Sequence, residues 1–393
     1  MDGPPRSSNQ TRSNGAFLPS VSVNGPFYAR SYGVLCDGAT DDTSAFAAAV
    51  AAMPANGGTL IIQSGVCIVS NITLSKSIIF QGQGGTFSNV PGATEIRGNS
   101  VSAPVITITA AFGQLNDLAV TSSVAAASRT GPGILDSGGV NTISNVGVIG
   151  HQYGIHITGA GVVLNSVVQS FAQLDGIWLD GNSTNTGATG PVLNYVQANA
   201  NVLGSGIVVS GNSGGFGAGA QMFFASGTLN GASGFVLSGA VNDIYLAQSG
   251  GGSNTGIGID ANTMTGGNLA IVNSLCEQNS GGACIRIGSS TTSVSIVNNT
   301  ITGSTNGIVS AGQGVSITGN TFSSNGTSAV ELLTGSAHTV LSGNVLTGTN
   351  TNGIFFSGAP GAILCAATDF TVATNPRFGA LPAGSSVSSC PGF

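Results

Sequence analysis

The sequence predicts an all-β protein: a single-stranded, right-handed parallel β-helix with three strands per coil, an Asn ladder and an N-terminal capping helix. Three observations carry this expectation. One six-residue phrase returns through the chain: GIHITG at Gly154, GIWLDG at Gly176, GIVVSG at Gly206, GFVLSG at Gly234, GIGIDA at Gly256, CIRIGS at Cys284, GIVSAG at Gly307, AVELLT at Ala329 and GIFFSG at Gly353. Its steps are 22 to 30 residues. An Asn-x-apolar phrase interleaves with it at Asn165, Asn194, Asn242, Asn273, Asn299, Asn320 and Asn344, with Gly227 filling the rung that lacks an Asn. Two interleaved signals at one period mark a solenoid, whose units bury their apolar faces only against one another. Thirdly, Val, Ile, Thr, Ser, Gly and Asn fill the units in short alternating runs with no 3.6-residue pattern, so the units are strands rather than helix pairs. Strands stacked at about 4.8 Å place like amides one above another, where they hydrogen-bond along the axis. The period implies roughly ten to twelve coils.

Composition narrows the function. The chain has 393 residues, which a single solenoid can use entirely. Charged residues make up only 6% and Gly numbers 63, which fits neither a disordered polyelectrolyte nor a basic nucleic-acid binder. A net charge of −6 with eight Lys and Arg disfavours acidic polymers. Neutral sugars, or acidic ones met by a single Arg or Lys, stay open. No apolar run reaches transmembrane length, so no membrane partner is expected, and the opening MDGPPRSSNQTRSNG lacks a signal-peptide core. A removed signal or another export route is the expectation. The six Cys fall into three couples, Cys36 with Cys67, Cys276 with Cys284 and Cys365 with Cys390, although sequence alone permits 15 pairings and buried free thiols are the alternative. None has CxxC spacing, and neither a metal nor another cofactor is expected.

In chain order, residues 1–25 are polar and aperiodic and read as a flexible tail. The β-helix is expected over residues 26–364. Within it Asp42 or Thr43 caps an Ala-rich helix to Met53, and Pro54, Gly57 and Gly58 end it. TLIIQSG and VCIVS then alternate as strands. The run YGVLCDGATDDTSAFAAAV followed by GGTLIIQSGVCIVS resembles the opening of the pectate-lyase-like superfamily of right-handed β-helices, which includes tailspikes, exopolysaccharide depolymerases and glycoside hydrolases. That resemblance covers Tyr32 to about Gly84 by motif and the rest by repeat, and implies that the helix closes the N-terminal end of the coil. Asp37, Asp41 and Asp42 lie in a turn and at a helix start, so capping and Asx-turn roles are expected of them rather than catalysis. Residues 78–140 read as irregular rungs, and 365–393 as a capping tail over the last sheet edge.

In each GI-x-I the apolar pair points inward and the residue between them outward. The outward row is then His156, Trp178, Val208, Val236, Gly258, Arg286, Val309, Glu331 and Phe355. His156 and the only Trp stand on adjacent rungs, with Asp175 and Asp180 flanking Trp178. An aromatic face beside carboxylates suits a sugar ring. Asp175 and Asp180 are the catalytic candidates, and Trp178 and His156 the substrate-binding ones. A second group comprises Asp260, expected level with Asp180, and Glu277 as catalytic candidates, with Asp243 and Arg286 as substrate-binding ones. The ordinary reading of each acid is a solvated surface carboxylate, and that of Trp178 a subunit contact. His338 reads as surface decoration, and His151 is undecided.

Asp175 stands where polygalacturonases carry the Asp of NTDG, but their adjacent Asp pair, GHG and RIK are missing, as are the calcium-binding Asp cluster of pectate lyases and the DPH of alginate epimerases. The resemblance therefore implies a polysaccharide substrate, with hydrolysis slightly ahead of elimination, on an extracellular or virion-associated protein. A tailspike would make it a homotrimer. The alternative is a non-catalytic adhesin or tail-fibre shaft.

Overall fold

The computed structural model describes residues 26–85, 91–181, 190–211 and 219–391. The expected tail over residues 1–25, and residues 86–90, 182–189, 212–218 and 392–393, lie outside the described residues. The strands form two parallel sheets, one of 26 strands and one of 13. A regular coil gives two short strands to the larger sheet and one to the smaller, as Val192–Asn194, Gln197–Asn199 and Ile207–Gly211 do. Single residues in the left-handed conformation make the corners between them, among them Ser166, Tyr195 and Phe224, each at φ 53°. The chain is a right-handed parallel β-helix. Its thirteen strands in the smaller sheet exceed the ten to twelve coils expected, because the irregular residues before 141 also stack: Ile72–Leu74, Ile106–Ile108 and Ile134–Asp136 carry the same register into the regular rungs. At the other end Asn375–Phe378 and Ser386–Ser388 continue the two sheets.

The interior consists of aligned apolar rows. Ile134, Ile155, Ile177, Ile207, Phe235, Ile259, Ile285 and Ile308 are register partners in succession, and all are fully buried. At about 25 cal/mol per Å² of apolar surface, each such side chain contributes about 1.5–3 kcal/mol. The phrase opens on Gly because the rungs approach there. A Cβ on Gly176, Gly206 or Gly234 would lie 2.6 to 2.7 Å from the carbonyl oxygen of Gly206, Gly234 or Gly258 above it.

That row also corrects the register of one repeat. Gly258, not Gly256, stacks on Gly234, so Asp260 rather than Gly258 takes the outward position, between Val236 and Arg286. The next turn of the phrase, I-G-I, imitates its beginning, and a register shift after Val236 keeps Asp260 from the level of Asp180, whose row continues through Ser210 and Ser238 to Thr263.

Buried amides run along the axis in more than one ladder. Asn299 Nδ2 donates to Asn320 Oδ1 at 2.9 Å, and Asn320 to Asn344 at 3.0 Å, as the Asn-x-apolar phrase predicts. A second ladder runs Asn201, Asn230, Asn254, Asn279, with amide-to-amide distances of 2.8, 3.0 and 2.9 Å. Asn165, Asn242 and Asn273 are exposed instead. The second ladder has its own signal in the sequence, an Asn four or five residues before the opening of each repeat.

The N-terminal helix spans Thr43–Ala52. Asp42 sits at its N-cap position, but its carboxylate turns back to accept the backbone N–H groups of Leu35 at 2.8 Å and Cys36 at 3.0 Å. Asp41 accepts the Thr43 N–H at 2.9 Å, and Asp37 those of Ala39 and Thr40, so all three have structural roles. Lys76 closes the other end by donating to the carbonyls of Val50, Ala51 and Met53. The three Cys couples are disulfides: Cys36–Cys67, Cys276–Cys284 and Cys365–Cys390. Among the described residues no helix is long and apolar enough to cross a membrane.

Candidate functional site

The outward row of the smaller sheet begins its polar and aromatic stretch at His156, whose register partner is Trp178. Parallel register at a rung spacing of about 4.8 Å is what allows flat side chains at paired positions to stack. The imidazole and indole lie 4.2 Å apart between centroids, with planes 3° apart. Tyr153 tilts against both rings, at 5.3 Å from Trp178 and 6.4 Å from His156. Each aromatic contact contributes about 0.5–1.5 kcal/mol beyond its buried area. The three rings are half-buried rather than fully open, so Trp178 offers less surface than the strand alternation implies.

Polar contacts fix the orientation of this aromatic group. The Trp178 indole N–H donates to Ser210 Oγ at 2.8 Å, and the Ser210 hydroxyl donates to Asp180 Oδ1 at 3.2 Å. The register that pairs Asp180 with Ser210 makes that relay. Asp180 Oδ2 stands 3.7 Å from His156 Nε2, an electrostatic contact longer than a hydrogen bond. Burial holds the His156 imidazole below its ordinary pKa, against the pull of Asp180. The neutral imidazole is therefore the resting form near neutral pH.

Asp175 lies two residues before the strand Ile177–Gly181 that carries Trp178 and Asp180. Its carboxylate accepts the Ser205 N–H at 2.8 Å, yet burial dominates and raises its pKa. Tyr153 is also raised, by its own burial and by the nearby Asp175. The site thus holds two carboxyls in unlike settings on either side of Trp178. Five residues of largely extended chain separate their backbones by about 16 Å. Tyr153 occupies the ground between Asp175 and the indole. Sequence reasoning missed it because it stands outside the GI-x-I phrase; an aromatic directly before Gly154 was the available signal.

The second group of candidates is spread over different faces. Asp260 and Arg286 are register partners on the smaller sheet. Glu277 lies on Leu275–Glu277 in the larger sheet, and Asp243 at an exposed corner of it, where Asn268 donates to its carboxylate at 2.8 Å. Further along the outward row Glu331 takes a hydrogen bond from Asn306 at 3.1 Å, and burial raises its pKa despite Ser357 and Arg286. His151 is fully buried, with its pKa pushed down to about 3 by burial and by Arg129, which places it in the core rather than at a site. Cys36, Asp42 and Cys67 lie close together, but the two sulfurs are joined and the carboxylate is spent on backbone N–H groups, so they do not form a cation site.

No protein-family model matches the chain, and no curated protein matches it. Solved structures do. The A-module of the Azotobacter vinelandii mannuronan C-5 epimerase AlgE4 superposes with a TM-score of 0.63 at 18% identity, over 92% of this chain and 100% of that one. The A-module of AlgE6 from the same organism gives 0.54 at 19% identity, over 93% and 98%. PfbA, a surface adhesin of Streptococcus pneumoniae, gives 0.50 at 10% identity, over 85% and 92%. At these identities the likeness is one of fold, the right-handed parallel β-helix, and it spans epimerase modules and an adhesin.

Proposed function

We propose that this chain, a right-handed parallel β-helix similar in fold to mannuronan epimerase modules, is a polysaccharide-degrading enzyme that cleaves glycosidic bonds, by hydrolysis ahead of elimination. The observation that carries the reading is the Tyr153–His156–Trp178 group, flanked by Asp180 in contact with His156 and by Asp175 with a raised pKa. A carboxyl whose pKa is raised by burial suits the acid role. Asp175, whose pKa burial raises, is the acid that donates to the leaving oxygen, with Tyr153 beside it; Asp180 activates the attacking water; Trp178 and His156 hold the sugar. Asp260 and Arg286 would contact the polymer further along the same face.

The competing reading is a non-catalytic adhesin, which the fold of PfbA supports. A glycan panel read both for reducing ends and for unsaturated-uronate absorbance separates the two. Turnover that falls at least a hundredfold in Asp175→Ala and Asp180→Ala supports the enzyme. Retention on a glycan without either product, or wild-type turnover in both variants, sinks it. Three disulfides fit an oxidising compartment, which supports an extracellular or virion-borne location. A homotrimer would bury the exposed stack of Tyr195 on Phe224, centroids 4.6 Å apart, and light scattering tests it.

A further inference from the structure

The charge available to the site decides which polysaccharides fit it. A uronate polymer carries one carboxylate per sugar, and abstraction of the proton beside that carboxylate needs a cation or strong donors to stabilise the enolate. The chain has eight Lys and Arg. Arg6 and Arg12 are in residues 1–25. Lys76 is committed to the carbonyls at the end of the N-terminal helix, and Arg97 to Glu95 at 2.6 Å. Arg129 is buried on the carbonyls of Ser100 and Ala103. Arg30 precedes the first complete coil, and Arg377 is on the last strand of the smaller sheet.

Only Arg286 stands on the regular part of the outward row. It is four rungs from Trp178, about 19 Å at about 4.8 Å per rung, and its register neighbour is Asp260. The segments 182–189 and 212–218, which follow the strands of Trp178 and Val208, contain no Lys, Arg or His. His156 is the one basic side chain at the rings, and burial favours its neutral form. Among the described residues the fixed charges around Trp178 are thus those of carboxylates.

Resting on the reading above, we propose that the substrate is an uncharged polysaccharide and that the reaction is hydrolysis, not elimination or epimerisation of a uronate. The polymer lies over Tyr153, His156 and Trp178, whose rings contact the apolar faces of its sugars. The anomeric C–O bond breaks, the proton of Asp175 goes to the leaving oxygen, and water forms the new C–O bond while giving a proton to Asp180. One water is consumed and one new reducing end is made, with no unsaturated product.

Affinity electrophoresis of the full chain in gels containing dextran, mannan, alginate or polygalacturonate tests this, with products assayed in parallel. The expected result is retardation and reducing-end release with a neutral polymer only, insensitive to added salt. Val208→Lys places a cation one rung from Trp178 on the half-buried outward row. Folded by circular dichroism, it should gain up to about fivefold in retardation on the two uronate polymers, and lose that gain in salt. Retardation or unsaturated product with the wild-type chain on uronates, or no gain in folded Val208→Lys, overturns the inference while leaving a carbohydrate-active protein. No retardation or turnover on any polymer overturns it together with the proposed function.

Discussion

Replacing Asn254 by leucine removes one step of the amide ladder while keeping nearly the same volume. In the native fold Asn254 Oδ1 accepts from Asn230 Nδ2 and from the Asn230 backbone N–H, both at 3.0 Å. Its Nδ2 donates to Gly227 O at 3.0 Å and to Asn279 Oδ1 at 2.9 Å. Asn230 Nδ2 keeps Ala198 O, and Asn279 Oδ1 keeps the Asn254 N–H, so the Asn230 backbone N–H bears most of the loss. Leaving a buried polar group without its partner costs about 1–3 kcal/mol. One such group, with the net loss of the remaining bonds, gives about 2–4 kcal/mol. Urea unfolding followed by far-UV circular dichroism should show that loss for Asn254→Leu, and a change within about 0.5 kcal/mol for Asn165→Leu, which is exposed and outside the ladder. An Asn254→Leu protein within 1 kcal/mol of wild type would refute the idea that the ladder is a major source of stability.

Other outcomes follow from single groups. Burial raises the pKa of Asp136, despite bonds from Asn141 and Gly138, above the unfolded carboxyl value. Its neutral form is thus favoured by folding, and the stability it adds at low pH is lost as pH rises through its folded pKa. Asp136→Asn should flatten that decline in melting temperature against pH; identical slopes would count against it. Trp178 is the only Trp and stacks on His156, so acid titration of its fluorescence should show quenching with a midpoint below about 6.5, absent in His156→Phe. Replacing both Cys36 and Cys67 by Ser opens a 31-residue loop and should cost about 4 kcal/mol, against about 2.5 for the 8-residue loop of Cys276 and Cys284. Denaturant midpoints in the same order support the chain-entropy account, and the reverse order opposes it.

The architecture was legible in the sequence because a solenoid repeats its constraints. Each rung demands the same inward Ile or Val and the same close-approach Gly, so the demand is written many times over, and His156 beside Trp178 follows from it. Other contacts of side chains beyond the inward rows were not legible. Ser210 beneath Trp178, Tyr153 against its ring and Asp42 folded back on Leu35 and Cys36 depend on rung-to-rung neighbours that the one-dimensional pattern does not specify. The shift at Asp260 was hidden for a related reason: two overlapping Gly-Ile starts, at Gly256 and Gly258, fit the phrase, and only the stacking of Gly258 on Gly234 chooses between them. The sequence by itself determined a right-handed parallel coil and the face that carries the aromatic and acidic side chains, because period and alternation are local properties of the chain. The tertiary structure decided which carboxyl meets which ring, how deeply each is buried and where the cations are committed, because those depend on stacking between rungs more than twenty residues apart.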